Sequence, residues 1–156
     1  MARPWQTLDS VPTDHGPLEL RRRGDDDFLI ALGPRVLMTS AAHRSEQRLA
    51  TLVCEPLAGR PRPRVLIGGL GLGYTLRAAL DRLPADAEVV VAEIEAAVVR
   101  WCEGPCASAS SRALADPRVS VRVDAHGPSH QRTTAASISA TTTSASAGSR
   151  SSAARS

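Results

Sequence analysis

The stretch Arg64-Val65-Leu66-Ile67-Gly68-Gly69-Leu70-Gly71-Leu72-Gly73 decides the fold of this chain. Three apolar residues in a row run straight into glycines, as a buried parallel strand does when it ends in a tight turn. From Thr75 to Leu83 apolar residues stand at 76, 79, 80 and 83 and Pro84 follows, so the turn opens a helix. Glu88-Val89-Val90-Val91-Ala92 is a second buried strand, and Ile94 to Trp101 a second helix closed by Gly104-Pro105. Val119, Val121 and Val123 alternate with Ser120 and Arg122 in a third strand. Strand, helix, strand, helix, strand is a βαβαβ half, whose right-handed crossovers build a parallel sheet.

Upstream of this stretch the period is that of strands. Leu18-Glu19-Leu20 begins an alternating run, Asp25 to Asp27 form a turn, and Phe28 to Leu32 return. Gly33-Pro34 is a second turn and Arg35-Val36-Leu37-Met38 a third strand, giving a small antiparallel β unit over 17–39. Ser45 is the expected cap of a helix with Leu49, Leu52 and Val53 on one face, ending near Pro56, before the linker Gly59 to Pro63. The first sixteen residues hold Pro4 and Pro12, show no period, and read as a loose leader. The fold class is therefore α/β: a leader over 1–16, a β unit and helix over 17–58, and half of a Rossmann-like sheet over 59–124. The N-terminal β unit is the surface expected to carry any homo-oligomer.

Downstream the pattern stops. Ser, Thr and Ala fill twenty-two of the thirty-two positions of 125–156, and Ile138 is the sole large aliphatic residue. Such a segment cannot bury enough apolar surface to offset ~1–2 kcal/mol of backbone entropy per residue, so disorder is expected. All nineteen basic residues of the chain are Arg, which marks a GC-rich coding sequence. The tail's composition is what such codons give out of register, so 125–156 is expected to be a frame-shifted reading. On that expectation the first strand of the sheet lacks a partner on its other side, and its polar edge faces water.

Composition narrows the function classes. The formal net charge of +3 comes from the tail, where Arg132, Arg150 and Arg155 stand without an acid, so no nucleic-acid surface is expected. Arg21-Arg22-Arg23 is followed at once by Asp25-Asp26-Asp27, the pattern of a solvated hairpin end. MARPWQTLDS has no apolar core of a signal peptide, and no run of ~18 apolar residues occurs. A cytoplasmic setting without a membrane partner follows, with reduced thiols. Cys102-x-x-x-Cys106 could place two sulfurs on one helical face, but no second pair or histidine stands at ligand spacing, so no metal is expected.

The glycine loop carries the chemistry. Glycines let a backbone turn tightly and approach a ligand, and the start of the following helix offers unpaired N–H groups. Dinucleotide-binding domains use G-x-G-x-x-G, and Tyr74 stands where the third glycine would be. Gly69-x-Gly71-x-Gly73 instead has the spacing of S-adenosylmethionine-type domains. Glu93 ends the second strand, where a carboxylate can accept both hydrogen bonds of a ribose diol.

The wider stretch Arg64 to Gly69, Thr75-Leu76-Arg77, Val91 to Val99 and Asp116-Pro117-Arg118-Val119 resembles the spermidine synthase family. That family has glycine-rich, T-L-R, V-E-I-D-x-x-V-V and D-P-R-V segments in this order. His43 and Glu46 resemble its Tyr/His-Glu segment. The resemblance implies binding of S-adenosylmethionine or its decarboxylated form as substrate, through Gly69, Gly71, Gly73, Glu93 and Asp124. It implies aminopropyl transfer to a polyamine, or in relatives methyl transfer; a non-catalytic nucleoside-binding protein is the alternative. Asp124 falls where the family keeps an aspartate for the adenine amino group. Two departures stand out. Leu72 replaces an aspartate that helps hold the substrate's amine end, and no Asp or Glu follows residue 124 to serve as general base. No catalytic residue is assigned, and the chain as it stands is expected to transfer no aminopropyl group.

Overall fold

The computed structural model describes residues 3–123 and 137–141. Alternating and continuous apolar runs build the first layer. β1 (Gln6–Thr13), β2 (Gly16–Arg23), β3 (Asp27–Leu32) and β4 (Arg35–Thr39) form an antiparallel meander in sequence order. Leu18 and Leu20 of β2 and Phe28 and Ile30 of β3 are buried together. Arg23 and Asp27 pair at 2.5 Å across the β2–β3 turn, the charged hairpin end expected from the Arg and Asp runs.

Eight of the sixteen residues expected to form a leader are the strand β1. Pro12 is compatible with β1 because this is the edge of the sheet, where a missing N–H breaks no ladder on the outer side. Leu8 and Val11 pack against the core, and Asp9 accepts the Trp101 indole N–H at 2.7 Å. Those contacts join distant segments, and no local period announces them.

α1 (Arg44–Cys54) begins after His43, which makes no side-chain cap. The expected cap, Ser45, lies inside the first turn and donates its hydroxyl to Glu46 Oε2 at 2.7 Å. The inward face is centred on Ala50 and Cys54, with Val53 beside them and Leu52 exposed. Small residues let α1 lie close against α2, which outweighs burial of the larger Leu52.

β5 (Arg64–Gly68), α2 (Tyr74–Leu80), β6 (Glu88–Glu93), α3 (Ala96–Glu103) and β7 (Val119–Val123) are the βαβαβ half, with both strand pairs parallel. The strand order is β7-β6-β5-β8, so both crossovers step the same way and right-handed connections put α2 and α3 on one face. Val65, Ile67, Val89 and Val91 are buried there, whereas Leu66 on the other face is 45 % exposed. The buried parallel strand expected over Val65 to Ile67 is therefore buried on one face, with Leu66 turned to the other.

β8 (Ser137–Thr141) pairs antiparallel with β5, Ile138 opposite Ile67. This corrects the expectation that β5 lacks a partner on this side; apart from these five residues, the stretch 125–156, where disorder is expected, lies outside the described residues. Five backbone positions need no apolar side chains to join a ladder, since N–H and C=O groups make the pairing. One continuous core links the two sheets, from Leu20 and Phe28 through Leu72 and Leu76 to Trp101 and Cys102.

Candidate functional site

The carboxyl end of β5 turns through Gly69 to Gly73 into α2. Gly69 N–H bonds to the Ala92 carbonyl at 2.7 Å, which fastens the start of the loop to the end of β6. Gly73 N–H closes the turn on the Leu70 carbonyl at 2.9 Å. Gly73 has φ +80°, and a Cβ there would stand 2.7 Å from Ser110 Cβ, so conformation and space both require glycine. Gly71 has φ +55°, and a Cβ there would meet Met38 Sδ at 2.7 Å.

Glu93, only 4 % exposed, organises the loop from β6. Its Oε2 accepts the Leu70 N–H at 2.8 Å, and Oε1 accepts those of Ile94 at 2.8 Å and Glu95 at 3.0 Å. A carboxylate offers about four acceptor positions. Three are taken by main chain, so one on Oε2 is left for a ligand hydroxyl. The two-fold ribose contact expected of Glu93 has room for one of its bonds in this arrangement.

Gly69, Gly71, Glu93, Glu95, Met38 and Glu46 border one cavity of about 120 Å³, roofed by Leu18, Ile30 and Leu37 of the first sheet. Burial, and then the neighbouring Glu93 charge, push the Glu95 carboxyl above the usual carboxylate range. Leu72 belongs to the core, fully buried, and lends the cavity no charge. The Leu72 N–H donates to Met38 Sδ at 3.2 Å. Behind the loop, Cys102 donates its thiol to the Gly71 carbonyl at 3.0 Å.

At the start of α2, His43 stacks on Tyr74, centroids 4.2 Å apart and planes 15° from parallel. His43 Nδ1 lies 2.8 Å from the Ser40 carbonyl, which can only accept, so Nδ1 carries the proton. Tyr74 thus occupies, as a stacked ring, the position that a dinucleotide loop gives to glycine.

The structure brings Gly69, Gly71 and Glu93 to one cavity, with Gly73 closing the loop, and it adds Glu46 from α1. Asp124 lies outside the described residues. Sequence reasoning missed Met38 and Glu95. Met38 reads as one more apolar strand residue, and only the pairing of the two sheets brings it to the loop. Glu95, two residues beyond Glu93, was legible as a second acid at the same strand end. A wider, open depression of about 560 Å³ lies over Arg3, Trp5, Arg22 and Gly24 and touches none of these residues. Among the described residues no group of three or more His, Cys, Asp or Glu is placed to hold a metal, and no helix is long and apolar enough to cross a membrane.

No family model matches the sequence, and no curated protein matches it. Solved structures do share the fold. Spermidine synthase from Thermotoga maritima superposes with a TM-score of 0.61 at 21 % identity, over 76 % of this chain and 40 % of that one. A spermidine synthase in complex with the transition-state analogue AdoDATO gives 0.59 at 21 % identity, over the same 76 % and 40 %. The chain thus spans about 40 % of the length of these relatives, and at such identity the likeness is one of fold.

Proposed function

We propose that the chain is the nucleoside-binding part of a spermidine synthase-like protein, and that its cavity takes the adenosyl group of S-adenosylmethionine or decarboxylated S-adenosylmethionine. The observation that carries this is the Glu93 carboxylate, fixed 2.8 Å from the Leu70 amide at the edge of the cavity that Gly69 and Gly71 border. Its remaining acceptor position is directed by three backbone donors and cannot wander, which suits a ribose hydroxyl. The fold shared with spermidine synthases supports the same ligand class. Tyr74, stacked on His43, disfavours the pyrophosphate of a dinucleotide at the third loop position.

A second reading, nucleoside binding without aminopropyl transfer, is favoured by Leu72. Where the family places an acid for the amine end, this chain buries an apolar side chain in its core. Among the described residues none is assigned as the general base, whose loss alone commonly costs ~10²–10⁴-fold in rate.

Calorimetric titration with S-adenosylmethionine and with NAD tests the first reading. Tighter binding of the S-adenosyl compound is expected; tighter binding of NAD overturns it. Radiolabelled transfer from decarboxylated S-adenosylmethionine to putrescine tests the second. No turnover is expected, and a rate within tenfold of an ordinary spermidine synthase would exclude it.

A further inference from the structure

We infer that the Met38 side chain is a displaceable occupant of the glycine loop, which a ligand must move aside to reach the loop's amides. This rests on the nucleoside-binding reading above and adds the residue that controls entry.

Three observations converge on Met38. Its sulfur sits 2.7 Å from where a Gly71 Cβ would be, so it fills the space that glycine leaves over the loop. It also accepts the Leu72 N–H at 3.2 Å, covering a main-chain donor. The open part of the cavity is about 120 Å³, against the ~300–1,000 Å³ usual for small-molecule sites. A nucleoside needs more room than that, and the Met38 side chain lies where the loop could give it.

The chemistry of methionine suits the part. A thioether is a weak acceptor, so a hydroxyl or carboxylate oxygen competes for the Leu72 amide with advantage. Three rotatable side-chain bonds make the swing inexpensive. The residue stands on β4 of the first sheet, whereas the loop belongs to the second, so its displacement need not disturb either ladder. Until the side chain leaves, only a fraction of molecules is competent to bind, and the apparent affinity falls by that fraction.

The experiment titrates S-adenosylmethionine by calorimetry into the full chain and its Met38→Ala and Met38→Ile variants. Met38→Ala removes the occupant and should tighten binding, roughly five- to tenfold if the competent fraction is small. Met38→Ile keeps the bulk but stiffens the side chain at its first torsion, and should weaken binding. Weaker binding by Met38→Ala would make Met38 a wall that the ligand needs, and equal affinities would make it irrelevant; either overturns the inference and leaves the nucleoside site standing. No binding by any of the three overturns the site and the inference together. An independent readout needs no variant. The chain has two methionines, so methyl-labelled wild type gives one NMR signal for Met38 beside that of Met1. That signal should move in step with ligand saturation, and a signal that stays fixed while binding heat is recorded sinks the inference.

Discussion

The Glu93 carboxylate accepts the Leu70 amide at 2.8 Å, so the end of one parallel strand holds the loop that follows its neighbour. The acid expected to meet a ribose is first a structural keystone for the turn. Glu93→Ala leaves the buried Leu70 N–H without a partner, which costs about 1–3 kcal/mol before the Ile94 and Glu95 amides are counted. Glu93→Gln keeps one carbonyl oxygen and should lose less. Urea denaturation of both variants measures this. Equal midpoints for wild type and Glu93→Ala would show that the loop does not lean on Glu93.

Gly73 makes a sharper test of the loop. Gly73→Ala must hold a Cβ at φ +80° and press it to 2.7 Å from Ser110. The left-handed conformation costs roughly 1–2 kcal/mol, and the overlap adds about 1–3 kcal/mol. Gly59, with nothing within 4 Å of its Cβ position, is the control, and Gly59→Ala should be close to neutral. Adding Ser110→Gly to Gly73→Ala should relieve the overlap but leave the conformational part. Full recovery in the double variant would mean that φ carries no cost here.

These two residues also show how far the sequence could be read. The places of Gly73 and Glu93 were legible because local periodicity defines the helix start at which one sits and the strand end that the other forms. The Asp116-Pro117-Arg118 segment was legible only as a family likeness, and the structure supplies its reason in an ion pair. Met38, Asp9 and Trp101 were illegible for one common cause: their partners lie far away in sequence, across the junction of the β meander with the βαβαβ half, and no local pattern carries that information. Strand β8 was missed because composition speaks for side chains, whereas its pairing with β5 is made by main chain.

The first strand gives a prediction that separates its role from that of a leader. Asp9 is held below the usual carboxylate range by the Trp101 indole N–H, and it joins β1 to α3. Deleting residues 1–13 removes this contact, the packing of Leu8 and Val11, and the outer ladder of β2. The deletion should lower the urea midpoint well beyond Asp9→Ala, which removes the single hydrogen bond. A truncated chain as stable as the full one would restore the leader reading.

The pair Asp116–Arg118 gives the last prediction, in pH. Arg118 clasps Asp116 at 2.7 Å between guanidinium and carboxylate, with a second bond at 2.9 Å from Nε. The same guanidinium reaches the Leu83 carbonyl at 2.9 Å, so the pair ties the entry of β7 to the connection between α2 and β6. Both side chains are largely shielded, and the Arg118 hydrogen bonds pull the Asp116 carboxyl down to about 2. In the unfolded chain the ordinary value is ~3.9, a difference that corresponds to about 2–3 kcal/mol. The folded state therefore binds fewer protons than the unfolded state between these values, and stability falls as pH falls. The contribution is complete above pH ~4 and vanishes as pH drops through about 2. Asp116→Asn cannot ionise, so it should be less stable than wild type at neutral pH by about that amount, and the gap should close between pH 4 and pH 2. Arg118→Ala should show the same closing gap plus a part independent of pH, since the Leu83 carbonyl loses its donor too. Urea midpoints of the three chains measured across this range decide the matter: a gap that does not narrow with acid would mean the pair is packed but not electrostatically coupled.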